Sequence, residues 1–440
     1  MNRLFLFIAW SLCVMLCAVD VCAQESMCRT LTIDEMFSLA EENSKSLRAG
    51  KTGVEESRQA IKSARNARLP EISASLSFSY IGNGRMWDRD FSDKTKIEMP
   101  HFGNNLAVEA SQIIYAGGAI QHGISLAKLQ SESARLSLEE NRDKVRLMLV
   151  SYYLDLYKQQ NLIGVYDANI AQTKQVLDEL QAKEAEGVVL HNDITRYELQ
   201  LSNLELQRTR LQNNRTILNN RLVVTLGLPE GTLITPDSTL LVTDVPVESE
   251  AHWTKTAVET SPSLQQSELS VKMLLHQDKI IRSERIPKIA LFAGNNLDGP
   301  ILIEVPTINK NFNYWYVGVG VKYNIDALFK TPRDLSRSRL SIRRQQEAHD
   351  YATEQTELAV QAEYIKYLEC FETLATQEKS VELAERNYNV IHNRYRNDMA
   401  LITDMLDAGN AKISAETELV NARIDLIFNY YKLLYISGTL

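Results

Sequence analysis

Two carboxylates three residues apart are the feature of this sequence with the clearest potential for chemistry. Asp404 and Asp407 stand in the stretch Thr403-Asp-Met-Leu-Asp-Ala408, between two long segments of helical periodicity. If the second helix begins at Thr403 or Asp404, both carboxylates lie on one face of its first turn. The positive end of the helix dipole favours acids there, so ordinary capping accounts for the pair by itself. A functional interpretation therefore depends on the surrounding elements.

The other reactive side chains form no catalytic or cofactor site. The seven histidines are scattered without ligand spacing, and no Ser/His/Asp grouping or glycine-rich phosphate loop is present. Beyond the predicted signal segment only Cys28 and Cys370 remain, which is neither a disulfide framework nor a metal motif. The residues before Cys28 lack the apolar, small-residue approach of a lipid-attachment site. Tyr152, Tyr153 and Tyr157 are typical of a helix core or seam. We therefore predict no enzymatic activity, cofactor or metal.

The N-terminus has the pattern of a secretory signal peptide over residues 1–23. A short basic start, Asn2-Arg3, precedes an apolar run from Leu4 to Leu16 and a small-residue cleavage site at Val21-Cys22-Ala23. This run is too short for a transmembrane helix, and no later run reaches spanning length. The 48 basic and 56 acidic residues give a formal charge of -8, without a basic patch for nucleic acid. We expect an exported protein that does not bind nucleic acid.

Two proline-free segments carry heptad repeats that are related by a constant offset. Prolines are absent between residues 101 and 228 and after residue 332, so long helices can run there. Apolar residues recur every seven positions in both segments, which is typical of left-handed coiled-coil packing. The first series is Leu149, Leu156, Ile163, Ile170 and Leu177, and its partners 211 residues later are Val360, Tyr367, Leu374, Val381 and Tyr388. Near the start the offset is 217, from Pro70 to Pro287. We interpret the pattern as a tandem duplication with a longer loop in the first copy.

Each copy is predicted to contain a helix, a strand pair and a long helical hairpin. The first repeat covers residues 24–228, the second covers residues 253–440, and a proline-containing linker over residues 229–252 joins them. In the first copy the predicted bounds are Ile33 to Ala67 for the helix, 71–80 and 105–115 for the strands, and 118–226 for the hairpin. In the second copy they are Trp253 to Glu284, 288–295 and 313–325, and 333–437.

The predicted strands have one apolar and one polar face. Residues 71–80 alternate strictly between apolar side chains and serines, and residues 313–325 place Trp315, Val319 and Tyr323 on one face. Four such strands cannot close a barrel in one chain, and exposed strand edges invite pairing. A transmembrane barrel built by several chains, with lipid outside and water in the lumen, fits these strands. A small soluble sheet packed on the helices is the alternative.

Short turns reverse the chain at the ends of the two predicted hairpins. The first turn runs from Gly187 to Leu190, before Asp193. By the offset of 211, Leu190 corresponds to Leu401 and Asp193 corresponds to Asp404. The pair of carboxylates therefore lies at the tip of the second hairpin.

Several motifs, in order along essentially the whole mature chain, resemble the TolC family of outer-membrane efflux proteins. They are Leu31 to Ala40 with Asn43 and Leu47, Ile114-Tyr-Ala-Gly-Gly118, Thr403 to Ala408, Val420-Asn-Ala-Arg423 and Ser437-Gly-Thr-Leu440. The resemblance implies a mixed α/β fold and a homotrimer. Each tandem-duplicated chain would supply four strands to a twelve-stranded outer-membrane β-barrel and helices to a long periplasmic α-helical barrel. The linker after Gly227 would join a belt around the helical barrel.

The resemblance also implies roles for residues at the tip. Asp404 and Asp407 match the two acids that ring the periplasmic aperture, and Tyr395 matches a gate tyrosine. Three chains would crowd six carboxylates, which attract cations and resist simultaneous ionisation. The gate arginine four residues before the first acid is absent, because Ala400 stands there. Arg196 occupies the place of Asp407 in the first copy, and we hypothesise that it pairs with an acid at the closed tip.

The same resemblance implies partners and a function. The tips would dock on a periplasmic adaptor protein through Gly187, Val188, Leu190, Asp193, Ala400 and Leu401. The protein would be a passive exit duct for efflux or type I secretion, seated in outer-membrane lipid and driven by an inner-membrane pump of RND or ABC type. The alternative is a periplasmic coiled-coil scaffold without channel activity, which would need no detergent to stay in solution. A periplasmic enzyme, the third class, lacks a candidate site.

Overall fold

The structure, a computed structural model, describes residues 28–237, 246–304, 307–397 and 399–440. The predicted signal peptide (residues 1–23) and residues 238–245 of the predicted linker lie outside the described residues. The chain divides into two compact units. Of the described residues, the helical unit contains those within 28–49, 139–261 and 354–440, and the sheet unit contains those within 50–138 and 262–353. Each unit therefore takes segments from both predicted repeats.

Apart from the short strands β3 and β4, which occur only in the first half among the described residues, the helices and strands follow one another in the same order in both halves of the chain. The first half contains β1 (Cys28–Leu31), α1 (Ile33–Asn43), α2 (Lys45–Asn66), β2 (Glu71–Tyr80), β3 (Gly84–Met86), β4 (Thr95–Ile97), β5 (Phe102–Tyr115), α3 (Ala119–Ala185) and α4 (His191–Leu226). The second half contains β6 (Leu233–Pro236), α5 (Glu250–Thr260), α6 (Pro262–Ser283), β7 (Lys288–Gly299), β8 (Phe312–Lys322), α7 (Ala327–Arg396) and α8 (Ile402–Ile436).

The sheet unit is built on a four-stranded antiparallel sheet with the order β2-β5-β7-β8. Its central pair joins β5 from the first half of the chain to β7 from the second. Residues directly opposite each other share a face, so Leu76, Leu106, Leu297 and Asn313 form one row of what we call the apolar face. The opposite, polar face carries the row Ser77, Asn105, Asp298 and Phe312. All four strands therefore contribute to both faces.

Several strand ends differ from the sequence prediction. β5 begins at Phe102 instead of residue 105, and β7 continues to Gly299 instead of residue 295. These added residues pair with each other, as Asn104 lies opposite Gly299. β8 ends at Lys322, so Tyr323 lies outside the strand. Cross-strand pairing thus extends the sheet through glycines and asparagines whose intrinsic strand propensity is low.

Each helix predicted in front of a strand pair is divided into two helices. Thr32 and Ser249, which are 217 residues apart, cap α1 and α5 by accepting a hydrogen bond from the backbone N–H three residues later. Ser44 and Ser261, again 217 residues apart, end these helices in a non-helical conformation. In both cases the serine N–H donates to the carbonyl four residues earlier, at 2.9 and 3.0 Å. The same break thus occurs in both halves of the chain.

The helical unit contains a small parallel sheet that ties residues 28–31 to the predicted linker. β1 and β6 pair in parallel, from Cys28 opposite Leu233 onward. The fully buried Tyr153 hydroxyl donates to the Leu31 carbonyl at 2.5 Å and accepts from the Asp237 N–H at 2.8 Å. The linker region is therefore not wholly irregular, since it includes β6 and the start of α5.

The long helices α3 and α7 have 67 and 70 residues. α7 begins at Ala327 and includes Pro332, whereas the sequence predicts its start at residue 333. Heptad positions such as Leu149 and Leu156 in α3, and Val360 and Tyr367 in α7, are buried. Among the described residues, no helix combines the length and apolar character that crossing a bilayer requires.

Candidate functional site

The turn between α3 and α4 is closed by a glycine in the left-handed conformation. Gly187 has φ +78°, and its N–H donates to the Glu184 carbonyl at 2.8 Å. The next N–H, of Val188, donates to the Lys183 carbonyl at 3.0 Å. These two bonds satisfy carbonyls that the end of α3 leaves unpaired, in the pattern of a Schellman motif. A side chain at Gly187 would meet open space, so only the backbone conformation requires glycine there.

The turn between α7 and α8 repeats this geometry. The Met399 N–H donates to the Arg394 carbonyl at 2.8 Å. This bond corresponds to the one from the Val188 N–H to the Lys183 carbonyl in the first turn. Leu190 and Leu401 then precede their helices in extended conformations, with ψ of 144° and 157°. The residue in the place of Gly187, at position 398, lies outside the described part of the chain. The two tips are therefore equivalent in backbone structure as well as in sequence offset.

Asp404 is both a cap and an exposed charge. Its backbone N–H donates to the Leu401 carbonyl at 3.1 Å, and its Oδ2 accepts from the Leu401 N–H at 3.0 Å. The capping explanation from sequence therefore has a structural basis. Asp407 lies one turn further along, is also exposed, and makes no hydrogen bond or ion pair with another described residue. The structure thus places both carboxylates in the first turns of α8, open to solvent.

Tyr395 lies in the core of the tip. It is buried, and the Lys183 Nζ lies 5.0 Å from the centroid of its ring, a cation–π distance. The buried cluster that joins the two hairpins comprises Val176, Leu180, Ile194, Tyr197, Tyr388, Tyr395, Ile402, Met405 and Ala408. In this chain Tyr395 therefore holds α3 and α7 together.

Arg196 lies outside this core, whereas Ala400 lies at its edge. Arg196 is exposed on α4, beside the buried Tyr197, and forms no ion pair with a described residue of its own chain. Ala400 is half-buried and packs against the tip cluster. The single chain does not bring Arg196 together with a described acid, so the proposed pairing requires a second chain.

The ends of both tips expose apolar side chains. Val188 and Leu190 in the first turn, and Met399 and Leu401 in the second, are all exposed. Met399 lies within the second predicted docking tip, residues 397–404, and corresponds to Val188 by the offset of 211. Exposed large apolar side chains concentrated at a helical tip are typical of an interaction surface.

A polar cluster next to the tip core was not predicted from sequence. The Lys412 Nζ lies 5.3 Å from the Tyr388 ring centroid and donates to the Gln172 side chain at 3.2 Å. Asn169 donates to Glu416 at 2.9 Å, which links α3 to α8. Burial, followed by the charge of Glu179, raises the pKa of Tyr388, so its hydroxyl stays neutral. The i, i+4 spacing of Lys412 and Glu416 is the only sequence signal of this cluster.

Comparison with known proteins finds a similarity to one protein family over part of the chain. Residues 36–228 match the family model described as outer membrane efflux protein. This is a family of channels and not of enzymes, in agreement with the prediction from sequence. No curated protein sequence matches the chain.

Solved structures of outer-membrane channels have a similar fold. The outer-membrane channel OprN is 15% identical with a TM-score of 0.78, over 93% of this chain and 90% of that chain. VceC from Vibrio cholerae is 12% identical with a TM-score of 0.75, over 92% and 96%. The open state of Neisseria gonorrhoeae MtrE is 14% identical with a TM-score of 0.71, over 92% and 88%. The resemblance to TolC-like outer membrane factors that the motifs indicate is therefore confirmed.

Proposed function

We propose that three copies of this chain form the passive outer-membrane exit duct of a tripartite efflux or type I secretion system. The observation that carries the proposal is the apolar face of the sheet, which is continuous over four strands and exposed in the single chain. Leu76, Phe78, Val317 and Val319 on this face are between 61% and 70% exposed. A soluble protein rarely leaves so large an apolar surface in water, whereas the outside of a membrane barrel requires one.

The dimensions and composition of this face suit a bilayer. From Ile72 to Tyr80 the apolar face of β2 spans about 26 Å at about 3.3 Å per residue, before any tilt. The lipid-facing band of outer-membrane barrels is about 25 Å tall and is flanked by aromatic residues. Phe78 and Phe102 stack with ring centroids 5.7 Å apart near one end of the sheet, and Tyr115 lies at the other end. The polar face would line the lumen.

The sheet edges indicate how copies would join. Among the described strands, β2 and β8 each pair on one side only, so both edges remain open. If β8 of each copy paired with β2 of the next, the copies would form a closed ring. Each contact would then join two different edges, as a cyclic trimer requires. Three copies would give the twelve strands that the family resemblance implies. Closure would remove the open edges that favour aggregation.

The long helices expose a second surface for neighbouring copies. Tyr351, Leu358 and Ile365 recur every seven residues on α7, and all three are exposed in the single chain. Leu199 and Leu206 on α4 follow the same spacing and are also exposed. Heptad stripes without a partner in their own chain are suited to packing against helices of another chain. We propose that these stripes line the contacts of the periplasmic α-helical barrel.

The tips would then face the periplasm and the other components. Their exposed apolar side chains would dock on the adaptor, and the inner-membrane pump, of RND or ABC type, would supply the energy. Asp404 and Asp407 from three chains would ring the aperture. The tandem duplication explains why the two tips of each chain can present equivalent surfaces to an adaptor.

The first test is planar-bilayer conductance of the detergent-extracted protein, with its mass determined in the same detergent. We expect a trimer with a small, cation-selective conductance that divalent cations block, because acid rings concentrate cations. A detergent-independent species without conductance would overturn the proposal and leave the scaffold alternative.

The Arg196 hypothesis makes a separate prediction. Arg196→Ala should raise the conductance of the closed tip, because a cross-chain ion pair that holds it shut would be lost. Arg208→Ala is a matched control on the same helix, since Arg208 pairs with Asp167 within its own chain and exposed pairs of this kind contribute only about 0–1 kcal/mol. Equal single-channel conductance of Arg196→Ala and the unaltered protein would exclude Arg196 from the gate.

A further inference from the structure

A cavity of about 630 Å³ lies over the polar face of the sheet, at the edge where β2 ends and β5 begins. Its lining includes Ser77 and Ser79 of β2, Asn105 of β5, Asp298 of β7 and Phe312 of β8. Ser77, Asn105, Asp298 and Phe312 are the residues that lie directly opposite one another across the four strands. The floor of the cavity is therefore one complete row of the polar face.

The roof of the cavity is formed by residues 300–303, which directly follow β7. Ile301 forms an antiparallel bridge with Ile308, with N–H to carbonyl distances of 3.0 and 3.1 Å. Ile301, Leu302 and Ile303 line the same cavity as Ser77 and Ser79, which belong to a strand two positions away in the sheet. Since neighbouring strands lie about 4.8 Å apart, the cavity extends about 10 Å across the polar face from β7 to β2.

Asp298 supplies a negative charge inside this cavity. Its Oδ1 accepts a hydrogen bond from the Asn105 amide, and its Oδ2 accepts from the Tyr314 hydroxyl at 3.3 Å. Both donors are neutral, and no lysine, arginine or histidine among the described residues pairs with Asp298. The carboxylate is thus oriented by its neighbours while its charge remains uncompensated within the described chain.

The walls of the cavity are apolar and aromatic. Phe312 and Tyr314 stack with ring centroids 5.4 Å apart, and Ile81 and Leu302 also line the cavity. A volume of several hundred Å³, mainly apolar walls and a few placed polar groups are the usual properties of a small-molecule site. An oriented carboxylate next to aromatic rings favours a cation that carries an apolar body.

We propose that this cavity binds small organic cations, in particular aromatic or alkyl quaternary ammonium compounds. Asp298 would neutralise the charge, the Phe312 and Tyr314 rings would contact the cationic head, and Ile301 to Ile303 would cover the apolar part. The site is built within a single chain. That it lies at the outer end of the lumen, where a cargo would leave the duct, rests on the proposed function.

The test is binding of benzyltrimethylammonium to the detergent-purified full-length protein, followed by saturation-transfer NMR. For a ligand of this size we expect a Kd on the order of 1 mM. Asp298→Asn should weaken binding about ten-fold, because the amide keeps the hydrogen-bonding shape but removes the charge. Phe312→Leu, which keeps an apolar side chain without a ring, should weaken binding about three-fold.

Matched controls distinguish binding of the probe in this cavity from non-specific attraction of the probe to the protein. Glu109 lies on the same polar face, opposite Ser73 and Gly294, and Glu109→Gln should leave binding unchanged. Benzyl alcohol, without the charge, and tetramethylammonium, without the apolar body, should both bind more weakly than the probe. Equal binding by Asp298→Asn and the unaltered protein, or an equal loss in Glu109→Gln, would overturn the inference.

The cation site and the proposed duct can be refuted separately. A protein that conducts as a trimer but binds the probe equally well after Asp298→Asn would refute only the cation site. A protein that shows Asp298-dependent binding but neither trimerises nor conducts would refute the duct and leave the site standing.

Discussion

Asp404→Asn combined with Asp407→Asn is expected to raise single-channel conductance at least about two-fold and to weaken divalent-cation block about ten-fold. A ten-fold change in block corresponds to about 1.4 kcal/mol of lost attraction, a modest fraction of what six exposed carboxylates can supply to a divalent ion at close range. The measurement is planar-bilayer recording with a divalent cation titrated on the tip side. Unaltered conductance and block would contradict the assignment of these acids to the aperture.

The structure shows why this variant should retain its fold. Asp404 accepts the Leu401 N–H, and asparagine keeps a side-chain oxygen that can accept the same hydrogen bond. Asp407 has no partner to lose among the described residues. Asp193→Asn is the matched control, because Asp193 has the equivalent helix-start position, with its N–H 2.9 Å from the Leu190 carbonyl. A similar change in the control would indicate a general effect of tip charge and not an acid ring.

Leu76→Arg is expected to prevent stable membrane assembly, whereas Ser75→Arg should be tolerated. The two positions are neighbours in β2 but lie on opposite faces of the sheet. Leu76 is near the middle of the proposed lipid-facing band, where an arginine costs about 2–4 kcal/mol in each chain. Ser75 faces the proposed water-filled lumen, where an arginine remains solvated.

The measurement is the fraction of heat-modifiable trimer recovered from the membrane, together with the unfolding midpoint in lipid vesicles. The Ser75→Arg protein controls for an added arginine in the same strand. Equal recovery of the two variants would contradict a lipid-facing role for the apolar face, as would greater damage from Ser75→Arg. Either result would favour the soluble sheet.

The elements with strong periodicity could be predicted from sequence. The strict alternation over residues 71–80 indicates β2, and the heptads from Leu149 and Val360 indicate the long helices, because each pattern extends over many residues. The carboxylates at the second tip follow from the offset of 211 and from the motif around Asp404. Long repeated patterns of this kind depend little on tertiary contacts.

The elements that were missed depend on contacts between distant residues or on single-residue effects. β7 extends through Asn296 to Gly299 because β5 provides partners, which local propensity does not reveal. The break at Ser261 precedes Pro262, which disfavours helical conformation in the residue before it, whereas Ser44 has no proline after it. Pro332 predicts a helix boundary, but α7 accommodates this proline near its N-terminus. The packing of Tyr395 against Lys183 is likewise invisible without the fold.

The parallel pairing of β1 with β6 has a consequence for the order of folding. The strands are about 200 residues apart in sequence, and contacts at such separation form late because the intervening loop must first be closed. Until the whole first repeat and the start of the linker are present, β1 has no strand partner and the Tyr153 hydroxyl has no donor at Asp237. The two-stranded sheet of the helical unit is thus completed only after an entire repeat is present. A chain truncated before residue 233 would leave the β1 edge unpaired, so this junction distinguishes complete first repeats from incomplete ones.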